Sequence, residues 1–254
     1  MQTIRIIPKL EVKGENLIKG IHLEGLRIVG RPEEAELEYY KDGADELIFI
    51  DLVASLYQRK SFLDLIERTA QKIFIPLTVG GGIRSINDVK MVLRAGADKV
   101  AVNTAALERP ELVSEIADIF GSQCMVLSME VQEKSGGGYE CYADCGRTRT
   151  GVNPFSWANE AVNRGAGEIL LTSINRDGTM SGFDISLVRK IADNVSVPLI
   201  ASGGAGKPEH IEQVILQGHA DAVSLASILH FNEFSLPEIK RFLKFKKISI
   251  REIN

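Results

Sequence analysis

Along this chain, short apolar runs alternate with stretches whose apolar residues recur at helical spacing. The runs predict eight strands: Arg5–Val12, Glu46–Asp51, Ile73–Val79, Lys99–Asn103, Met125–Glu130, Glu168–Thr172, Val197–Ser202 and Asp221–Leu225. Between them, Ser61–Lys72 puts Phe62, Leu65, Ile66 and Thr69 on one helical face. Ile86–Ala95, Glu111–Phe120, Phe155–Asn163, Ser186–Ala192, Glu209–Leu216 and Pro237–Leu243 show the same spacing. Pro154 and Pro208 mark first turns, and Gly43, Gly96, Gly165 and Gly218 stand where helices end. Strands joined through helices pair in parallel by right-handed crossovers. Eight such units in 254 residues predict one domain, a closed (β/α)8 TIM barrel, in preference to an open doubly wound sheet.

The pattern repeats. Shifted by 122 residues, "GADELIFID" from Gly43 overlies "GAGEILLTS" from Gly165, and Pro76–Ala105 overlies Pro198–Ser227 without a gap. Gly81, Gly82 and Gly96 then fall on Gly203, Gly204 and Gly218. Two half-barrels of four units each, approximately 1–122 and 123–254, account for this. The glycine clusters of "PLTVGGGIRS" and "PLIASGGAGK" end strands on one barrel face, nearly opposite each other. One such cluster reads as a tight turn; two in register read as a pair of backbone cradles for anions. "AVNTAA" and "SLASI" follow the next strand in each half, where barrels commonly hold phosphate. The pattern suits a long substrate with a phosphate at each end.

Composition narrows the function classes. Apolar residues make up 44% and charged residues 25%, ordinary for a soluble globular chain. A net charge of −4 gives no basic face for nucleic acid, and no apolar run approaches a membrane span. The opening "MQTIRIIPKLEV" runs straight into a strand pattern and lacks signal-peptide features. Cys124, Cys141 and Cys145 are an odd count without zinc-pair spacing, so thiols in a reducing cytoplasm are expected, with neither metal nor cofactor.

Strand alternation puts Arg5, Ile7, Lys9 and Glu11 on one face, and Val126, Ser128 and Glu130 on another. With an offset of 119, "PKLEVK" overlies "LSMEVQ", so Glu11 and Glu130 occupy equivalent upper ends of opposed strands. If those faces line the barrel, two carboxylates meet between the cradles and can divide proton abstraction from proton donation. Two exposed loop acids are the plainer alternative. At the other end, Arg5, Glu46, Lys99 and Glu168 begin their strands with inward parity. Inward charges must pair, so they read either as salt bridges plugging the floor or as a gate on an axial path.

The motifs "TVGGGI", "GADKVAVNTAA", "FGSQ", "RGAGEILLTSINRDGT", "IASGGAGK" and "LHF" closely resemble one family over essentially the whole chain: the cyclase subunit of imidazole glycerol phosphate synthase, of histidine biosynthesis. The resemblance implies a lyase-type cyclase that takes ammonia from a separate glutaminase subunit, docked as a heterodimer at the N-terminal face. The ammonia meets a bis-phosphorylated ribulosyl–formimino–carboxamide nucleotide, giving imidazole glycerol phosphate and aminoimidazole carboxamide ribotide. It implies Glu11 and Glu130 as catalytic and Arg5, Glu46, Lys99 and Glu168 as the ammonia gate. Asp98 would lie at the partner interface. Gly82, Asn103 and Thr104 would form one phosphate site; Asp177, Gly178, Gly203, Gly204, Ala226 and Ser227 would form the other. Lys19 would belong to a mobile first loop.

The chain departs from the family at several points. Both catalytic positions carry glutamate where the family has aspartate, and an ångström of misplacement costs about 10²-fold in rate. Lys9 occupies a position that is small and neutral in the family, where it would pair with Glu11 and lower its basicity. Asn175 replaces an acid. Competing readings are a sister protein supplying ammonia for amidination of a surface-polysaccharide sugar, a non-catalytic activator of a glutaminase, and a sugar-phosphate isomerase. The floor charges argue against the isomerase.

Overall fold

The computed structural model describes residues 3–53 and 59–251. In chain order the first half contains β1 (Arg5–Lys13), β2 (Asn16–Ile21), β3 (Glu24–Gly30), α1 (Pro32–Lys41), β4 (Leu47–Asp51), α2 (Arg59–Ala70), β5 (Leu77–Gly80), α3 (Ile86–Arg94), β6 (Lys99–Val102), α4 (Thr104–Glu108) and α5 (Glu111–Phe120). The second contains β7 (Met125–Glu133), β8 (Tyr139–Ala143), β9 (Thr148–Arg149), α6 (Pro154–Asn163), β10 (Glu168–Ser173), α7 (Ile185–Ala192), β11 (Leu199–Ser202), α8 (Pro208–Leu216), β12 (Ala222–Leu225), α9 (Ser227–His230) and α10 (Leu236–Phe245). Strands β1, β4, β5, β6, β7, β10, β11 and β12 pair in parallel in that order, and β12 returns to β1. The barrel is closed, as the alternating pattern predicts. Among the described residues no helix is long and apolar enough to cross a membrane.

Helices bury their apolar stripes against the outward strand faces: Leu112, Val113 and Ile116 of α5 and Leu187, Val188 and Ile191 of α7 are all buried. Inside, Ile7, Ile48, Val126, Leu170, Ile200 and the small Ala101 and Ala222 fill the middle of the lumen. Polar residues occupy its two ends. Lys240 of α10 is 3% exposed and pins the last helix to the floor, donating to Asp45 Oδ1 at 2.8 Å and the Gly43 carbonyl at 2.6 Å.

The two glycine turns aligned in the sequence have matching surroundings. Gly81 (φ 96°) packs where a Cβ would stand 2.2 Å from the Asp51 carbonyl, and Gly203 (φ 93°) where it would stand 2.9 Å from that of Ser173. A tight approach of neighbouring backbone therefore suffices to require glycine at both, whatever binds there. The gapless alignment holds through the next helix and then slips by one. β5 and β11 are 122 residues apart, whereas β6 and β12 are 123 apart. The extra residue lies between α8 and β12. Gly96 (φ 110°) corresponds to His219 (φ 60°), not to Gly218 as the sequence alignment had it. Asp98 and Asp221 then match: each caps the preceding strand, at Leu77 N (2.8 Å) and Leu199 N (2.9 Å).

Several elements escape the sequence reading, among them α1, the short α4 and two hairpins at the mouth. Helix α1 lacks an apolar stripe, because its buried face is Pro32, Glu36 and Tyr39. The hairpins β2–β3 and β8–β9 extend the mouth after equivalent strands β1 and β7. The β2–β3 turn holds positive φ at both His22 (56°) and Leu23 (62°), a conformation usually signalled by Asn-Gly. Strand β5 starts at Leu77 rather than Ile73, since Phe74 is 81% exposed on the approach to the barrel.

Candidate active site at the barrel mouth

At the floor, Arg5 Nη1 meets Glu46 Oε1 at 2.7 Å and Nη2 meets Glu168 Oε1 at 2.5 Å. Lys99 Nζ lies 3.0 Å from both Glu46 Oε2 and Glu168 Oε2. Each cation thus bridges both anions, so the expected ring of salt bridges at the floor is closed by four contacts. Asp98, exposed beside the ring, spends one oxygen on the Leu77 cap. Phe74, Ile119, Leu216 and Phe245, all well exposed, lie at the strand-entry or helix-exit end and form an apolar fringe around this face.

At the mouth, Glu11 and Glu130 occupy equivalent places: Glu11 is in register with Ile50, and Glu130 with Thr172. Their surroundings differ. Glu11 is 1% exposed and clamped at both oxygens, by Lys9 Nζ at Oε1 and Lys19 Nζ at Oε2, each at 2.8 Å. Burial opposes its ionisation, but the ammonium groups of Lys19 and Lys9 outweigh burial and hold the carboxyl well below the usual range. Glu130 Oε2 accepts from Asn103 Nδ2 at 3.0 Å and from Gly146 N at 2.8 Å. Burial nevertheless pushes Glu130 up to about 7, with Glu11 and Asp177 adding to the shift against the Gly146 N–H and the Lys9 charge. Two acids alike in sequence are made unlike by the fold: one is a fixed anion and the other a group that exchanges protons near neutrality.

Two hollows flank this pair. The first, about 430 Å³, is lined by Gly82, Asn103, Thr104, Ser128 and Glu130, with Arg84, Cys145 and Arg147 at its sides. Asp144 N donates to Thr104 Oγ1 at 2.9 Å, so hairpin β8–β9 forms one wall. Burial pushes the Cys145 thiol up to about 12, which leaves it inert as a nucleophile. The second hollow is narrow and lined by Lys9, Lys19, Asp177, Gly178, Ser202, Gly203, Gly204, Ser224, Ala226 and Ser227. Lys19 sits on strand β2, 3% exposed, rather than in an open loop, and donates to Asp177 Oδ1 at 2.8 Å and Oδ2 at 3.1 Å. Asn175 Oδ1 accepts from Glu133 N at 2.8 Å, away from the hollow.

The sequence reading missed a hydrogen-bonded chain that ties α1 to strand β1 at Lys9. His230 Nε2 contacts the Lys9 carbonyl at 3.1 Å, so Nε2 carries the hydrogen and Nδ1 accepts from Tyr39 Oη at 2.7 Å. Burial lowers His230 to about 4, so the ring stays neutral. Tyr39 belongs to the overlooked α1, which hid this chain. The missed wall residues of the first hollow belong to the overlooked β8–β9; the alternation of "YECYA" after "KSGGG" is the signal that marks it.

A family model described as "Histidine biosynthesis protein" matches residues 5–235. A relative from Methanosarcina mazei, described as "Imidazole glycerol phosphate synthase subunit HisF", is 45% identical over 272 aligned positions, which cover 99% of this chain and 100% of the relative.

Proposed function

This chain belongs to the histidine biosynthesis protein family, and from that premise we propose that it is the cyclase subunit of imidazole glycerol phosphate synthase. It works in the cytoplasm, takes ammonia from a glutaminase subunit docked on the floor near Asp98, and closes the imidazole ring of a bis-phosphorylated ribulosyl–formimino–carboxamide nucleotide. The products are imidazole glycerol phosphate and aminoimidazole carboxamide ribotide. The observation that carries the reading is axial. A closed charged ring at the floor, a lumen of apolar side chains and a proton-exchanging Glu130 at the mouth lie along one barrel. An uncharged small molecule crosses an apolar layer far more cheaply than an ion does, which suits ammonia. The apolar fringe of Phe74 and Ile119 supports the docked partner.

The two hollows on either side of Glu130 take the two phosphates: Gly82, Asn103 and Thr104 hold one, and Gly178, Gly203, Gly204, Ala226 and Ser227 the other. Lys19 and Asp177 close over the second. Glu130 gives and takes the proton during ring closure, while Glu11 supplies fixed negative charge beside the reacting centre.

The test uses the isolated chain, the bis-phosphorylated nucleotide and ammonium salts at alkaline pH. Formation of both products is expected, with no consumption of glutamine unless the partner is added. A folded chain that binds the nucleotide and makes neither product overturns the cyclase reading and leaves an ammonia supplier for another acceptor.

A further inference from the structure

Lys9 has no place in the reading above, yet its side chain is 4% exposed at the centre of the mouth. We propose that Lys9 is the cationic ligand of the second hollow, and that its ammonium leaves Glu11 Oε1 for the incoming phosphate dianion, freeing Glu11. The proposal rests on the bis-phosphate reading and deepens it at one of the two sites.

Three observations converge. First, the two buried lysines are not equally engaged. Lys19 Nζ has three acceptor oxygens within 3.1 Å, one for each of its N–H groups. Lys9 Nζ has Glu11 Oε1 at 2.8 Å, and Asp177 Oδ2 stands 3.9 Å away, beyond hydrogen-bond reach. Second, the hydroxyls of Ser202 and Ser224, each 3% exposed, have no hydrogen-bond partner among the described residues, and both residues line the hollow that Lys9 lines. Buried polar groups are nearly always satisfied, so orphaned donors around one concavity mark a place for an acceptor-rich ligand. Third, Lys9, Glu11, Lys19 and Asp177 sum to no net charge. A dianion entering beside them competes with the singly charged Glu11 for the nearest cation, and the flexible lysine stem permits the exchange.

The arrangement also distinguishes the two hollows. The equivalent of Lys9 in the second half is Ser128, which lines the first hollow. A buried ammonium at one position and a hydroxyl at its equivalent, with Arg84 and Arg147 only at the rim of the first hollow, make the two hollows chemically unlike.

Inorganic phosphate is the probe, followed by amide NMR on the full chain. Gly82 and Thr104 report the first hollow; Gly204 and Ser227 report the second. In the wild type both sets should shift. Lys9→Met should weaken binding at the second set tenfold or more and leave the first within twofold. Should Lys9→Met fail to fold, the wild type decides alone: the Lys9 Cε–H signals should move along the same isotherm as the Ser227 amide. Equal second-hollow affinity in the variant, or a Lys9 signal unmoved while Ser227 saturates, overturns the proposal and leaves the bis-phosphate reading standing. Phosphate that shifts neither set overturns both.

Discussion

Asn103 donates its side-chain amide to Glu130 Oε2 and to the Tyr142 carbonyl, both at 3.0 Å. It therefore joins the first hollow, the proton-exchanging acid and hairpin β8–β9. If positioning Glu130 is its main task, Asn103→Ala should lower kcat about 10–100-fold with KM for the nucleotide little changed. If it chiefly holds phosphate, KM rises first. Steady-state kinetics with ammonium salts separates these outcomes, and a change confined to KM would remove Asn103 from the acid's positioning shell.

Glu130 also links function to stability. Its carboxyl titrates at about 7 in the folded chain, against 4.5 for an ordinary glutamate. Between those values the folded state binds more protons than the unfolded state, so stability falls as pH rises through that window. Glu130→Gln cannot ionise. It should be more stable than wild type at about pH 8, by about 1–2 kcal/mol after allowance for partial exposure, and equally stable near pH 4. Activity should drop about 10²–10⁴-fold. Urea melts at both pH values, set beside turnover, check this. A variant less stable than wild type at the higher pH would contradict the raised pKa.

The floor ring makes a separable prediction. Lys99→Met leaves Arg5 bridging Glu46 and Glu168, so the barrel should still fold. In complex with the glutaminase, ammonium-driven turnover should stay within about twofold of wild type, while glutamine-driven turnover falls by about tenfold. The ratio of the two rates is the readout. If both fall together, the ring serves the fold and not ammonia passage.

Strands β4 and β10 were legible in the sequence because nearly every position on both faces is buried, so each reads as an unbroken apolar run. The matching glycine turns were legible because Gly81 and Gly203 cannot carry a Cβ. What stayed hidden lacks such a signature. The buried face of α1 carries Glu36, whose carboxylate accepts from Thr69 Oγ1, so its periodicity looks polar. His22–Leu23 turns a hairpin without the usual turn residues. The unequal environments of Glu11 and Glu130 were half legible: Lys9 shares the face of Glu11 by strand parity. The second clamp, Lys19, reaches Glu11 only because the hidden hairpin folds over.

That hairpin is held by a close backbone approach. Gly178 (φ 73°) lies where a Cβ would stand 2.2 Å from the Gly20 carbonyl and 2.8 Å from Ile21 Cα. Backbone cannot yield as a side-chain tip can, so Gly178→Ala should lift β2–β3 away from the mouth. Lys19 would then lose Asp177 and Glu11, and the His22 N–H would lose the Asp177 carbonyl it now reaches at 2.9 Å. Two readouts follow: faster hydrogen exchange at His22, and a raised KM for the nucleotide. Left-handed backbone by itself disfavours alanine by about 1 kcal/mol, so a control must carry that strain without the clash. Gly14 (φ 59°) provides it, with nothing within 4 Å of its would-be Cβ. Gly14→Ala should cost similar strain yet keep His22 protected and KM near wild type. If both variants expose His22 equally, backbone strain explains the effect, and the Gly178–Gly20 approach is not what holds the hairpin over the second hollow.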